Sequence, residues 1–309
     1  MNRLLLIALG ISLVATLSSY QRNFQEKHSI QRVEQEEVFP FPDIPSVITD
    51  SKARAAYLLT HYWDKVDFTR HVLSDRDALM EQGFVDFLSV FPHAESSVLQ
   101  VAVHNLLKHA LVDPSRVVPL IKLAENYLYY PNSPMLDEAY YGLFLEEFLQ
   151  LKELSLADRE KMKFHMSAIS KNRVGTRAAD IVFTDHKNKL AHLYDVKANS
   201  TLLFFYDADC EECKQVLSQM EDNRTLERLS QSGLVKVVTL CIEGSDSMRE
   251  KISGKFPSSW IKGNVEEMSS LYRTYVLRAM PTLYLLDDDK NVVLKDISWD
   301  KLLNYWNNQ

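Results

Sequence analysis

The feature that most limits the fold is a change of texture at Val174-Gly175. From about Asp50 to Ile169 apolar residues recur at helical spacing with almost no strand signal. Beyond Gly175, short apolar runs of strand length alternate with helical patterns. The two periods need different layers to cover them. The chain is therefore expected to form an all-α helical domain at residues 46–170 and an α/β domain, with a mixed central sheet flanked by helices, at 171–309. Its 309 residues suffice for two cores.

In the helical region Met80, Phe84, Phe87, Leu88 and Phe91 share one face. Start signals recur: Asp113-Pro114 and Ser133-Pro134 each place a capping side chain before a proline, and Ser155 with Asp158 forms a capping box. About six helices are expected. In the second region Ala179–Thr184 and Lys189–Tyr194 predict a hairpin, and Thr201–Tyr206 and Val235–Ile242 read as buried strands. A helix is expected from about Glu211 to Ser232, with further helical segments at Ser245–Phe256 and Val265–Tyr272. The strands Thr282–Leu286 and Val292–Lys295 and a helix at Trp299–Asn307 close the chain.

Residues 1–20 carry Arg3, an apolar run from Leu4 to Leu17, and then Ser18, Ser19 and Tyr20. The run is shorter than the ~20 residues of a membrane span and suits the core of an export signal, with an uncleaved anchor as the alternative. No cysteine lies nearby to take a lipid. Residues 21–45, rich in Gln and Glu and ending in a Pro-Phe cluster, read as a linker. The expected location is the periplasm or cell envelope, with membrane contact only through that N-terminal segment. A net charge of −7 argues against nucleic acid as a partner.

Three cysteines are too few for a disulfide framework. Cys210 and Cys213, however, stand three apart where a buried strand hands over to a helix. A sulfur there lies beside unpaired backbone N–H groups and the positive end of the helix dipole. Such a thiolate can attack a disulfide, and the second thiol can release the product. Zinc is the competing use of this spacing, but it needs about four ligands and Cys241 has no neighbouring His or second Cys pair. No cofactor and no metal are expected.

With Ala279-Met280-Pro281-Thr282 at the start of a later strand, the order strand, Cys-x-x-Cys, helix, Pro-strand resembles the thioredoxin-like domains of the TlpA/ResA type. Gly175–Asp180, Leu193–Val196, Leu202–Tyr206 and Tyr275-Val276 carry the rest of the likeness. The resemblance implies a thiol–disulfide oxidoreductase in which Cys210 attacks and Cys213 resolves. It also implies that Pro281 is cis beside the cysteines and that the Met280 backbone pairs with an extended substrate segment. Implied partners are proteins with disulfides or thiols and an upstream envelope thiol donor of electrons.

The chain departs from that pattern by surrounding the motif with Asp209, Glu211 and Glu212, for which Lys214 is a partial counterweight. Negative charge disfavours a thiolate, so a reductant or slow isomerase is expected, nearer thioredoxin than the strong oxidant DsbA. The buried acid that thioredoxin carries six residues before its first cysteine is here Phe204. Proton transfer from Cys213 must use another group or water, Glu211 being one candidate. The rival reading is a non-catalytic envelope binding protein with a static disulfide.

The helical region resembles a domain of unknown function found ahead of thioredoxin-like domains in envelope proteins of Gram-negative bacteria. Tyr57–Phe68, with Tyr62-Trp63-Asp64 and Asp67-Phe68, carries that likeness, which implies a role in recognising a partner or orienting the redox face. Elsewhere the residues predict packing. Cys241 reads as core, and so do Tyr127, Tyr129, Tyr130, Tyr140, Tyr141, Phe144 and Phe148. His104 and His109, ~140° apart around a helix, cannot readily share a metal. Asp287-Asp288-Asp289 reads as a solvated turn.

Overall fold

The computed structural model describes residues 38–72, 74, 76–152, 154–244, 256–265 and 267–308. The export segment, most of the linker and the helix expected at Ser245–Phe256 lie outside the described residues, apart from 38–45 and Phe256.

Six α-helices are described in the first region: α1 (Ser51–His61), α2 (Ala78–Ser89), α3 (Ser96–Ala110), α4 (Val117–Leu128), α5 (Glu138–Gln150) and α6 (Leu156–Ser170). Their starts follow local chemistry. Asp50, Asp77, Asp137 and Ser155 each accept a hydrogen bond from a first-turn N–H, and such a cap stabilises a helix by about 1 kcal/mol. Asp113 caps only a single 3-10 turn at Pro114–Arg116. Ser133-Pro134 starts no helix. Its hydroxyl donates to the Tyr127 carbonyl and accepts from Met135 N, closing a turn, and α5 begins later behind Asp137.

One core joins these helices. Met80, Phe84, Phe87, Leu88 and Phe91 are all buried, as are Tyr62, Trp63 and Phe68. Phe39, inside the stretch read as linker, is buried too, its ring 5.2 Å from Tyr62 and 5.6 Å from Trp63. Of the aromatics expected in this core, Tyr141, Phe144 and Phe148 are fully enclosed, whereas Tyr130 is exposed.

The second region is a seven-stranded sheet. Its strands are β1 (Val182–Asp185), β2 (Leu190–His192), β3 (Ser200–Asp207), β4 (Val235–Glu243), β5 (Ile261–Asn264), β6 (Thr282–Leu286) and β7 (Val292–Ile297). Their spatial order is β2-β1-β5-β4-β3-β6-β7. The central β3, β4 and β5 are parallel, while β6 pairs antiparallel with β3, and β1 with β5. Leu202, Phe204 and Tyr206 face one core and Leu203 and Phe205 the other, which explains why 202–206 is a continuous apolar run rather than an alternating one.

The single helix expected at 211–232 is two: α7 (Glu211–Glu221) and α8 (Arg224–Gln231). The first ends at its C-cap Asp222, and Asn223 caps the second by accepting from Leu226 N. The segment expected to be helical from Val265 begins later, as α9 (Met268–Thr274), and the strand β5 precedes it. The last helix is α10 (Trp299–Asn307). No described helix is long and apolar enough to cross a membrane.

Candidate active site

The carboxyl ends of parallel strands are where an α/β sheet leaves a crevice open. Here β3 ends at Asp207, and a turn of Ala208-Asp209 leads to Cys210 at the N-cap of α7. The turn is built by one residue: Asp207 Oδ1 accepts from Asp209 N at 2.8 Å and Asp207 O from Cys210 N at 3.2 Å. Beneath it passes Gly244, whose φ of +120° and closeness to Ala208 leave no room for a Cβ, which would come within 2.6 Å of the Ala208 Cβ.

Cys210 is partly exposed and Cys213 is buried behind it, both as thiols. Cys210 Sγ accepts from Cys213 N at 3.3 Å, the place an N-cap oxygen occupies in other helices. The same sulfur lies 3.8 Å from the Met280 carbonyl oxygen. The Met280-Pro281 bond is cis, and Phe205 pairs with Thr282 across the sheet. Residues 70 positions apart are thus brought together because β6 starts where β3 ends.

Burial pushes the Cys213 thiol well above its usual value. The Cys210 sulfur adds to this as a hydrogen-bond partner, while the Asp207 backbone N–H opposes it. The charges of Cys210 and of the Asp207 carboxylate also push it upward. Cys213 is therefore held protonated at neutral pH.

The acidic residues named from the motif are placed differently from one another. Glu211 is exposed and ion-paired with Lys214 at 3.2 Å, and the Lys214 ammonium also approaches the Asp209 carbonyl at 3.5 Å. Glu212 is exposed on the same first turn. Glu211 thus faces solvent and a lysine, not the buried thiol. The acid whose charge reaches Cys213 is Asp207, which the motif reading passed over. Its sequence signal is an acid directly after the apolar run 202–206, three positions ahead of the first cysteine.

Outside this site His104 pairs with Glu147 and His109 with Asp64, and no described group of three or more His, Cys, Asp or Glu could hold a metal. Cys241 is fully buried on β4, its sulfur 3.2 Å from the Glu243 carbonyl.

Comparison with known proteins matches each region to a family. Residues 16–172 match a domain of unknown function, DUF5106, and residues 174–295 match the AhpC/TSA family. A thioredoxin-like protein from Bacteroides caccae superposes with a TM-score of 0.80 at 28% identity, over 88% of this chain and 99% of that one. An overlap of that extent takes in both domains. A thiol-disulfide oxidoreductase ResA from Bacillus cereus is 27% identical over 145 residues, covering 46% of this chain and 73% of the relative. The protein of that name from Bacillus anthracis is 27% identical over 141 residues, covering 44% of this chain and 71% of the relative.

Proposed function

Because the chain belongs to the DUF5106 family through residues 16–172 and carries an AhpC/TSA-type, thioredoxin-like domain of the thiol–disulfide oxidoreductase family at 174–295, we propose that it exchanges disulfides through Cys210 and Cys213. The observation that carries this reading is the pairing of an accessible sulfur, at a helix N-cap and against the Met280 carbonyl, with a second thiol buried behind it.

The Cys210 thiolate attacks one sulfur of a substrate disulfide, forming a mixed disulfide and expelling the other sulfur as a thiolate that takes a proton from water. Cys213 then loses its proton to water and attacks Cys210 Sγ. The second substrate sulfur leaves as a thiolate that takes a proton from water, and a Cys210–Cys213 disulfide forms. Two electrons pass from the protein dithiol to the substrate, and an external dithiol restores them. Met280 and Pro281 shape the face on which an extended substrate segment lies, with the Met280 carbonyl as its acceptor. Asp209, Glu211 and Glu212, with Lys214 as counterweight, bias the pair toward reducing or isomerising disulfides.

The Leu4–Leu17 run supports an extracytoplasmic setting, so the substrates are exported proteins and the donor another envelope thiol protein. Insulin reduction tests the proposal. Wild type is expected to be active and Cys210→Ser inactive, while Cys213→Ser accumulates covalent adducts through Cys210. Equal, negligible rates in all three would leave only a binding scaffold.

A further inference from the structure

The residue just ahead of Ala279-Met280-Pro281 is a buried arginine that disulfide exchange itself does not require. Arg278 is only 10% exposed. Its Nε and Nη2 donate to Asp296 Oδ2 at 3.0 and 2.5 Å, and its Nη1 donates to the Tyr129 carbonyl at 3.1 Å. Nη2 also lies 2.9 Å from Glu138 Oε1, an ion pair without hydrogen-bond alignment. The guanidinium carbon sits 4.3 Å from the centroid of the Tyr129 ring, which is itself stacked on Tyr141 at 4.9 Å and His165 at 4.4 Å. Lys295 closes the cluster, with Nζ 2.6 Å from Glu138 Oε2 and donating to the Lys171 carbonyl at 2.7 Å. Two cations and two carboxylates balance.

The origin of these partners is informative. Asp296 belongs to the sheet, but Tyr129, Glu138, Tyr141 and His165 all come from the helical domain. A planar guanidinium fork fixes direction as well as charge, so this set of contacts pins the backbone at 278. Met280 is two residues further on, within ~7 Å of chain, and its carbonyl lies against Cys210. We infer that Arg278 is a positioning residue through which the helical domain holds the Met280 backbone in register with Cys210. The helical domain thereby presents the substrate edge to an incoming extended segment. The catalytic part of this inference rests on the oxidoreductase reading, whereas the positional part does not.

The test uses the full chain with two substitutions. Arg278→Lys keeps the charge and loses the fork, and Tyr129→Leu removes the stacked ring while leaving the carbonyl. Hydrogen exchange of the amides at 277–280 and 282 is expected to rise at least about tenfold in both, with β3 and β4 unchanged. Insulin reduction should lose about ten- to a hundredfold in kcat/KM, because misplacement by a fraction of an ångström is costly. Alkylation of Cys210 by iodoacetamide should stay within about twofold, since it depends on the sulfur and its access alone. Unchanged exchange at 277–280 and 282 would overturn the inference. So would alkylation falling in step with insulin reduction, or exchange rising across the whole sheet. Should wild type fail to reduce insulin, the oxidoreductase reading falls, and the exchange measurement still decides whether the helical domain holds the loop.

Discussion

In the proposed exchange, burial of Cys213 makes release of the mixed disulfide a pH-limited step. An unshifted thiol with a value of 9.0 would be ionised in ~1% of molecules at pH 7. Burial, the largest influence on Cys213, keeps the fraction below that, and it persists when Cys210 is tied up as a mixed disulfide. Because the attacking species is the thiolate, the resolving rate should rise about tenfold for each pH unit between 6 and 9. Ellman's reagent separates the two steps. The reduced protein should release one chromophore as Cys210 attacks and a second as Cys213 displaces it. The second phase is expected to steepen with pH and to vanish in Cys213→Ser. Asp207→Asn removes a neighbouring negative charge that pushes Cys213 upward, so it should speed the second phase at pH 7 by several-fold, up to about tenfold. A second phase independent of pH, or slower in Asp207→Asn at every pH, would refute the account. The slower outcome would instead make Asp207 the group that accepts the proton.

Cys213 also affects stability. Below pH 9 folded and unfolded thiols both keep their proton. Above it only the unfolded one ionises, so stability should fall by about 1.4 kcal/mol per pH unit, and urea titrations should show a shallower fall in Cys213→Ser. Lys295→Met leaves Arg278 alone against the Glu138 and Asp296 carboxylates and should cost up to about 3 kcal/mol, most of it recovered in Lys295→Met/Glu138→Leu, which restores one cation to one carboxylate; purely additive losses in urea would contradict a coupled ion cluster. Gly244→Ala should cost about 2–4 kcal/mol and depress insulin reduction by displacing Ala208, whereas Gly233→Ala, with φ +77° but open space, should cost about 1–2 kcal/mol and leave activity intact. Equal losses from the two in thermal melts and activity would remove the steric argument.

The sequence set what depends on near neighbours. Helical spacing from Met80 to Phe91, the caps at Asp113 and Ser155, and the apolar runs of β3 and β6 are all local signals, and they yielded a helical domain ahead of an α/β domain. The strand-to-helix position of Cys210 is local as well, because a cap and a dipole act within one turn. Local signals misled where a competing turn won, as at Ser133-Pro134, and where a cap interrupted a continuous pattern, as at Asn223. They were silent on β5: Lys262 and Gly263 are poor strand formers, and Gly263 is tolerated because a Cβ there would come within 2.4 Å of the Phe183 ring.

Tertiary structure alone decided which acid senses Cys213 and what Arg278 is for. Glu211 is nearer to Cys213 in the chain, but helix geometry turns it to solvent and Lys214, while the end of β3 sets Asp207 beside the thiol. Nothing near Arg278 in the chain singles it out, because its partners Tyr129 and Glu138 lie some 140–150 positions away. Charge interactions act through space, and in a buried setting their strength depends on which groups the fold excludes from water, a quantity that no run of neighbouring residues specifies.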